Sequence, residues 1–513
     1  MASVAIVNTG GAAGTCTKCL EIGAGGPDLM IGTPKEDIGS VVDSGMASVM
    51  YDAGSSVDSL YQGVTVNGTL IPGTPEEFDY FSSGMPEDHG GAMAFGDFNN
   101  DTYDDVAIGI PYEDVGSIVN SGIVEVFYGG VSGTFESVQV LHQGTPFFPG
   151  SPETNDRFGW SLATQRLGSD AYDDLVIGVP FEGIGAVPSA GLVQIVHGGP
   201  TGLNPADVQN WHQNTSGVAG TVEANDRFGW AVEAAAFSDV AWGAVIVGTP
   251  FEDIGAVQDA GIVQAFYAGS DGDIATANQQ TFHQDTPGIG GVVEAFDRFG
   301  EVLEAGGFGS GYFDLAVGVP YEGVGSKSDA GIVQIIYGDF SGLTTADVGG
   351  GSNRYIVQGE SGFGGTPETG DHLGAALAAI PGPGSDDLLA IGSPGEAIGI
   401  FDDAGLVHIR WPNDRSGLLT IHQGTAGILG ENESFDHFGA ALAFTDINSD
   451  GTADLVIGGP GENSAAGRIW ILEGDATGIT ATDRIFEQGT APFPGTPEGG
   501  DRFGAVILGG STA

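Results

Sequence analysis

Two stretches of this chain carry oxygen-bearing side chains at a spacing that could hold a hard cation. In DINSDGTAD, residues 446–454, they are Asp446, Asn448, Asp450 and Asp454, with the main-chain carbonyl of Thr452 between the last two and Gly451 at the tightest point. In DFNNDTYDD, residues 97–105, they are Asp97, Asn99, Asp101 and Asp105, with the carbonyl of Tyr103 available and Thr102 where a glycine is preferred. A calcium ion takes roughly six to eight oxygens at about 2.3–2.6 Å, and alternating oxygen side chains on one tight loop supply most of them. Two calcium sites are therefore expected, with a structural role, since like charges crowded on an empty loop repel one another.

Each loop runs directly into a short apolar strand and a turn, DLVIGGP or DVAIGIP, so no helix flanks the site. That strand and turn belong to a unit that recurs seven times. Gly-x-Pro turns close at Pro34, Pro111, Pro180, Pro250, Pro320, Pro394 and Pro460, and two residues after each stands Glu36, Glu113, Glu182, Glu252, Glu322, Glu396 or Glu462. An alternating strand such as AGLVQIVHGG comes next, its period of two marking a sheet element. A further strand ends in Gln62, Gln143, Gln213, Gln284, Gln358, Gln423 or Gln488. A Gly- and Pro-rich connection then leads to an acidic, aromatic-glycine step: Asp156–Gly159, Asp226–Gly229, Asp297–Gly300, Asp371–Gly374, Asp436–Gly439 and Asp501–Gly504, with a degraded EDHGG around His89. Each unit thus holds four strands.

Only two copies keep the full oxygen set. Arg166 and Gly168 replace the first two ligands before Asp174, Gly306 and Phe308 do so before Asp314, the loop before Asp387 is shortened, Ala244 has lost the last carboxylate, and the first copy keeps Asp28 alone.

Four short strands cannot bury both faces of their sheet, so seven such sheets must stack. Arranged radially they close into a propeller with short, protected edges. The chain therefore reads as all-β, with residues 27–513 a single seven-bladed β-propeller of four-stranded antiparallel blades and residues 1–26 an accessory strand or leader. Eight segments compete for seven first-strand places. The C-terminal DRFGAVILGG is favoured over the N-terminal GTCTKCLEIGAGGPD, because it carries the complete step; the ring would then close by joining the two ends of the chain.

The 91 glycines, 25 prolines and 41% hydrophobic content suit a turn-rich β protein. Thirteen basic against 68 acidic residues give a formal charge of −55, which excludes nucleic acid and anionic membranes as partners. No apolar run reaches the length of a membrane span. Cys16 and Cys19 form a lone CxxC with no second pair to complete a zinc site, and read as a buried thiol pair or a local disulfide. No HExxH, GxSxG or P-loop occurs, and most histidines fall in repeat positions such as His142, His212, His283 and His422. No catalytic residue is expected. The repeated Glu and Asp are expected to accept main-chain hydrogen bonds or pair with Arg157, Arg227, Arg298 or Arg502, and the six tryptophans to pack within strands.

The phenylalanine-glycine step, the Gly-x-Pro box and the nonapeptide together resemble the FG-GAP repeats of integrin α-subunit propellers. They also resemble bacterial secreted FG-GAP proteins, a fungal lectin and the propeller appended to a glycosylphosphatidylinositol-specific phospholipase D. The resemblance implies a secreted or cell-surface, calcium-stabilised, monomeric scaffold that binds a protein or glycan on the loop face opposite the calcium loops. A lectin, or the non-catalytic propeller of a larger secreted hydrolase, is the alternative.

Overall fold

The computed structural model describes residues 20, 22, 28–51, 56–82, 93–131, 134–237, 243–309, 311–345, 354–360, 363–381, 387–410, 419–475 and 478–508. Cys16, Cys19, His89, Trp242 and Trp411 lie outside them. After its first residue the second strand of a unit is apolar or small throughout and buried, as in VAIGI after Asp105 in Asp105–Ile110. A strand that reads as a continuous apolar run is covered on both faces, and here each face meets a neighbouring sheet.

Taken from the inside outward, blade 2 is Met93–Gly96, Asp105–Ile110, Ile123–Tyr128 and Ser137–Leu141. Blade 3 is Ser161–Gln165, Asp174–Val179, Leu192–Val196 and Val208–Trp211, and blade 4 is Ala231–Ala235, Ala244–Thr249, Ile262–Ala268 and Ile274–Phe282. Blade 5 is Val302–Gly306, Asp314–Val319, Ile332–Asp339 and Arg354–Ile356, with the short strand Gly342–Thr344 as an extra partner of the third. Blade 6 is Ala376–Pro381, Asp387–Ser393, Leu406–Arg410 and Leu419–Ile421, and blade 7 is Ala441–Thr445, Asp454–Gly459, Arg468–Asp475 and Gly478–Phe486.

Blade 1 combines both ends of the chain. Leu29–Thr33, Met46–Tyr51 and Ser56–Leu60 are completed by Val506–Leu508, which pairs antiparallel with the first of them through Met30↔Leu508, Ile31↔Ile507 and Gly32↔Val506. The innermost strands touch in cyclic order from blade 2 to blade 7, and Val506–Leu508 contacts both blade 7 and blade 2, so the ring is closed. The C-terminal strand thus takes the contested place. Leu20 and Ile22, the described residues of the expected accessory segment, are fully buried, and Ile22 donates its N–H to Asp28 Oδ2 at 2.9 Å.

The core lies between blades. Val176 and Val193 of blade 3 face Val232, Val245 and Val247 of blade 4, and equivalent layers fill the neighbouring interfaces. The aromatic-glycine step is what docks each crossing connection. Phe158, Phe228, Phe299, Phe438 and Phe503 are fully buried, and each donates its N–H to the turn before the third strand, Phe158 to Ser121 O at 2.9 Å for example. The turn glycine must be bare: a Cβ on Gly122 would sit 2.3 Å from Phe158 O.

In blade 1 this place is taken by Asp79-Tyr80-Phe81-Ser82 and not by the expected EDHGG, which lies outside the described residues. Phe81 donates to Ser44 O at 2.9 Å, and Tyr80 and Ser82 adopt the positive φ, 52° and 75°, that Arg157 and Gly159 adopt at 56° and 86°. Without the glycine of the other copies, or the arginine that four of them carry, the step is hard to recognise in the sequence.

Candidate metal loops and inter-blade joints

The connections from first to second strand turn at one end of the ring, and the Gly-x-Pro turns and crossing connections at the other. The two nonapeptides therefore sit together on one end, in blades 2 and 7, and share one internal hydrogen-bond pattern. Asp97 Oδ1 and Oδ2 accept the N–H groups of Asp101 and Thr102 at 3.0 Å each, Asn99 Oδ1 accepts Asp101 N–H at 2.8 Å, and Asp101 Oδ1 accepts Tyr103 N–H at 3.0 Å. In blade 7, Asp446 accepts from Asp450 and Gly451, Asn448 from Asp450, and Asp450 from Thr452, at 2.8–3.0 Å. These bonds curl the chain so that the side-chain oxygens gather on one loop. Thr102 takes φ 78° where Gly451 takes 86°, so the blade 2 loop holds a β-branched residue in the left-handed region.

The ninth residue is held differently from the first five. Asp105 accepts Phe98 N–H and Gly129 N–H at 3.0 Å each, and Asp454 accepts Ile447 N–H and Gly474 N–H at 3.1 and 2.9 Å. Asp174, in a copy without the other oxygens, makes the same two bonds to Leu167 and Gly198. The ninth carboxylate therefore ties the loop to the end of the third strand whether or not the other ligand positions survive. Its glycine partner is required by space, since a Cβ on Gly129 or Gly474 would lie 2.3 or 2.0 Å from a main-chain oxygen. In blade 4, where the ninth residue is Ala244, the glycine is also gone, replaced by Ala268.

Burial pushes the Asp105 carboxyl up to about 9 and Asp454 to about 7, and the neighbouring loop aspartates add to both. Crowded acids held from water in this way suit a cation. The donor set of three carboxylates, one amide oxygen and one carbonyl fits a hard ion, each carboxylate oxygen keeping a second lone pair beyond its N–H bond. Among the described residues, no three His, Cys, Asp or Glu side chains already converge as a metal cluster.

At the opposite end, two of the repeated residues read from the sequence meet each other. The glutamine that ends one blade donates Nε2 to the post-proline glutamate of the next: Gln143 to Glu182, Gln213 to Glu252, Gln284 to Glu322, Gln358 to Glu396, Gln423 to Glu462, and across the ring closure Gln488 to Glu36, all at 2.6–2.8 Å. The repeated aspartate accepts the N–H three residues earlier, as from Glu153 to Asp156, and does so in all seven units, Glu76 to Asp79 included. The expected main-chain role of these aspartates is thus seen, whereas the glutamates are bound chiefly by glutamine. Burial raises Glu182, Glu252, Glu396 and Glu462 to about 7, and Asp156, Asp226 and Asp371 to about 6.

The arginines of the step stack on rings. Arg157 lies over Phe181 and Tyr112, with its guanidinium carbon 4.1 and 4.6 Å from their centres; Arg227 lies over Phe251 and Phe181 at 4.2 and 4.7 Å, and Arg298 over Tyr321 and Phe251 at 4.5 and 4.7 Å. Beside this column Trp160 and Trp230 are buried 4.8 Å apart, and Trp470 is buried in blade 7. A cleft of about 550 Å³ between blades 3 and 4 is lined by Glu223, Asp226, Arg227, Phe251, Asp253 and Asp259.

The FG-GAP repeat family model matches residues 89–127 and 438–472, the two segments that contain the intact nonapeptides. The phosphatidylinositol-glycan-specific phospholipase D of Bos taurus is 22% identical over 82% of this chain and 50% of its own length. Integrin alpha-3 of Cricetulus griseus is 33% identical over 22% of this chain and 11% of its own. The chain thus spans about half the length, or less, of these curated relatives. The Dos1 propeller structure covers 86% of this chain and 92% of its own, at 11% identity and a TM-score of 0.39. With seven units, the docked aromatic-glycine steps and the two nonapeptides on the ring, the chain belongs to the FG-GAP repeat family of β-propellers, related to integrin α-subunits and phosphatidylinositol-glycan-specific phospholipase D.

Proposed function

We propose that this propeller is a calcium-stabilised, secreted or cell-surface scaffold that binds a protein partner through the end of the ring opposite the nonapeptide loops, and that it catalyses no reaction itself. The observation that carries this reading is where exposed apolar side chains fall. Of the twelve large hydrophobic residues exposed among the described residues, ten are in Gly-x-Pro turns or crossing connections: Val42, Leu70, Phe78, Val119, Phe147, Val292, Phe296, Ile400, Leu429 and Phe435. Val131 and Phe340 lie in the hairpins at the nonapeptide end. Apolar groups displayed on connections that differ between units, over a frame that repeats, are suited to recognising a partner surface. Among the described residues no helix is long and apolar enough to cross a membrane.

Calcium would be held by Asp97, Asn99, Asp101 and the Tyr103 carbonyl with Asp105, and by Asp446, Asn448, Asp450 and the Thr452 carbonyl with Asp454. Bound there, it supplies positive charge to loops dense in carboxylate. A ligand that binds only the native state stabilises it by about 2.7 kcal/mol at a hundredfold excess over Kd. Calorimetry should therefore count two calcium ions per chain, and chelator should lower the melting temperature; one ion for Asp450→Asn and none for the pair with Asp101→Asn is the expected sequel.

The scaffold reading is tested by applying the calcium-loaded chain to immobilised extracellular-matrix proteins and to a glycan array. Binding to a protein that is lost in Phe296→Ser or Phe435→Ser supports it. Binding to sugars alone would replace it with the lectin reading.

A further inference from the structure

At the nonapeptide end a tyrosine and a glutamine fasten one blade to the next. The Tyr128 hydroxyl of blade 2 accepts Leu203 N–H at 2.9 Å and Gln139 Nε2 donates to Leu203 O at 3.0 Å, Leu203 lying in the hairpin between the third and fourth strands of blade 3. Tyr267 and Gln280 of blade 4 hold Leu343 of blade 5 in the same way, at 2.8 and 2.6 Å. Between blades 3 and 4 the glutamine is kept as Gln209, but the tyrosine's place is taken by His197. The grip there is on a carboxylate of the blade 4 hairpin: Gln209 Nε2 donates to Asp273 Oδ1 at 2.6 Å, and His197 Nε2 lies 3.5 Å from the same oxygen.

His197 is buried, and its other ring nitrogen, Nδ1, is 3.2 Å from Asp174 Oδ1. A ring with a carboxylate at each nitrogen donates to both only when both nitrogens are protonated; the neutral ring has one N–H and one lone pair. The charged groups that act on it are acidic: Asp174 of the second strand, Asp207 before the fourth, and Asp273 across the boundary. Asp271 of the same hairpin is turned back against Gly269, and Asp173 faces the other way, accepting Asp97 N–H of blade 2 at 3.0 Å. Gln209 Nε2 is also 3.1 Å from His197 Nε2, so a ring that has lost its Nε2 proton competes with Asp273 for that amide. The hairpin is in turn bridged to the loop before Asp174, where Ser169 N–H donates to Ser270 O at 3.1 Å.

We propose that His197 is a proton-operated clasp between blades 3 and 4: the charged ring holds Asp174 of its own blade and Asp273 of the next, and loss of its proton frees the blade 4 hairpin and the loop bridged to it. The proton leaves from Nε2 to solvent, while Nδ1–H stays on Asp174. The hydrogen bond to Asp174 raises the His197 pKa, burial opposes it, and the charges of Asp174, Asp207 and Asp273 raise it further. A histidine raised above its unfolded value of about 6.5 stabilises the closed joint below that pH, and the contribution is lost as pH climbs through the raised value. Asp174, raised by burial against the pull of His197, sets the acid limit of that window. The boundary therefore tightens in mild acid and loosens as pH passes the His197 titration, whereas Tyr267, whose hydroxyl burial raises to about 12, keeps its grip on blade 5.

The clasp is tested on the intact chain at constant free calcium by a histidine titration followed by NMR, together with hydrogen exchange read by mass spectrometry and corrected for its intrinsic pH dependence. The imidazole signal missing from His197→Gln should titrate above about 6.5, and Asp273→Asn should lower that value. Protection of residues 166–172 and 268–274 should fall by about two- to fivefold as pH passes through the titration, the scale of a partly exposed ion pair. The fall should be absent in His197→Gln. Should that variant not fold, Asp273→Asn, which changes an exposed carboxyl, asks the same of 268–274. A His197 that titrates at or below the ordinary value, a titration unmoved in Asp273→Asn, or a pH-dependent loss of protection that persists in either folded variant overturns the clasp.

Discussion

The ring is built from one unit, yet its two arcs are reinforced by different chemistry. From blade 2 to blade 5 the residue after the Gly-x-Pro proline is Tyr112, Phe181, Phe251 or Tyr321, and Arg157, Arg227 and Arg298 fill the gaps between these rings. In blades 6 and 7 that residue is Gly395 or Gly461. A Cβ there would lie 1.9 Å from Gly370 O or 1.7 Å from Phe435 O, so the crossing connection occupies the space that a ring fills elsewhere. The joint into blade 7 is closed instead by Arg468, which pairs with Glu462 at 2.8 Å and donates Nε to Glu487 Oε1 at 2.6 Å. A repeated backbone thus leaves each joint free to settle its buried charge locally, by stacking in one arc and by an ion pair in the other.

Removing the ion pair should do the most damage. Arg468→Ala strands the Glu462 carboxylate in a nearly closed joint, and losing one partner of such a pair costs about 3 kcal/mol or more, read as a shift in the urea midpoint. Gly395→Ala should come next: it pushes a methyl group into main chain, with an overpacking cost of about 2 kcal/mol. Arg227→Ala removes a cation held between two rings and should cost about 1–2 kcal/mol. A loss for Arg227→Ala as large as that for Arg468→Ala would mean the two arcs are not reinforced in different ways. Arg227→Lys should recover only part of the loss, since an ammonium cannot lie flat between Phe181 and Phe251.

Much of this frame can be read from residue order alone, because a sevenfold repeat averages out local ambiguity. Strand count, ring closure by Val506–Leu508 and the two intact nonapeptides are all legible. The partnership of Gln143 with Glu182 is not, although both residues stand out as repeated: nothing in a linear pattern says that the end of one unit touches the middle of the next. A second periodicity does hint at it. In six units the glutamine precedes glycine, glutamate and aspartate at fixed distance, as Gln143, Gly150, Glu153 and Asp156, and the glycine lies against the glutamine amide. Likewise the joint loss of the ninth aspartate and its partner glycine in blade 4 marks Asp105 and Asp454 as main-chain anchors, a role masked by their fit to a ligand pattern.

The smallest expected effect also separates the arcs most cleanly, because it depends on the sign of a pH response. Glu182 and Glu462 are both raised to about 7 by burial, but Arg468 opposes the shift only at Glu462. A carboxyl near 4.5 when unfolded and near 7 when folded stabilises the fold below about pH 4.5, and that contribution fades as pH rises through 7. Glu182→Gln keeps a neutral group beside Gln143, so it should change the melting temperature little at pH 5.5 and raise it relative to the parent at pH 8.5, an effect on the order of 1 kcal/mol. Glu462→Gln should lower it at pH 8.5, where the ionised Glu462 carboxylate is the counter-charge that Arg468 loses. Parallel losses for the two variants at pH 8.5 would mean that Glu182 is charged in its joint, and that the arc of stacked rings handles its carboxylates no differently from the arc with the ion pair.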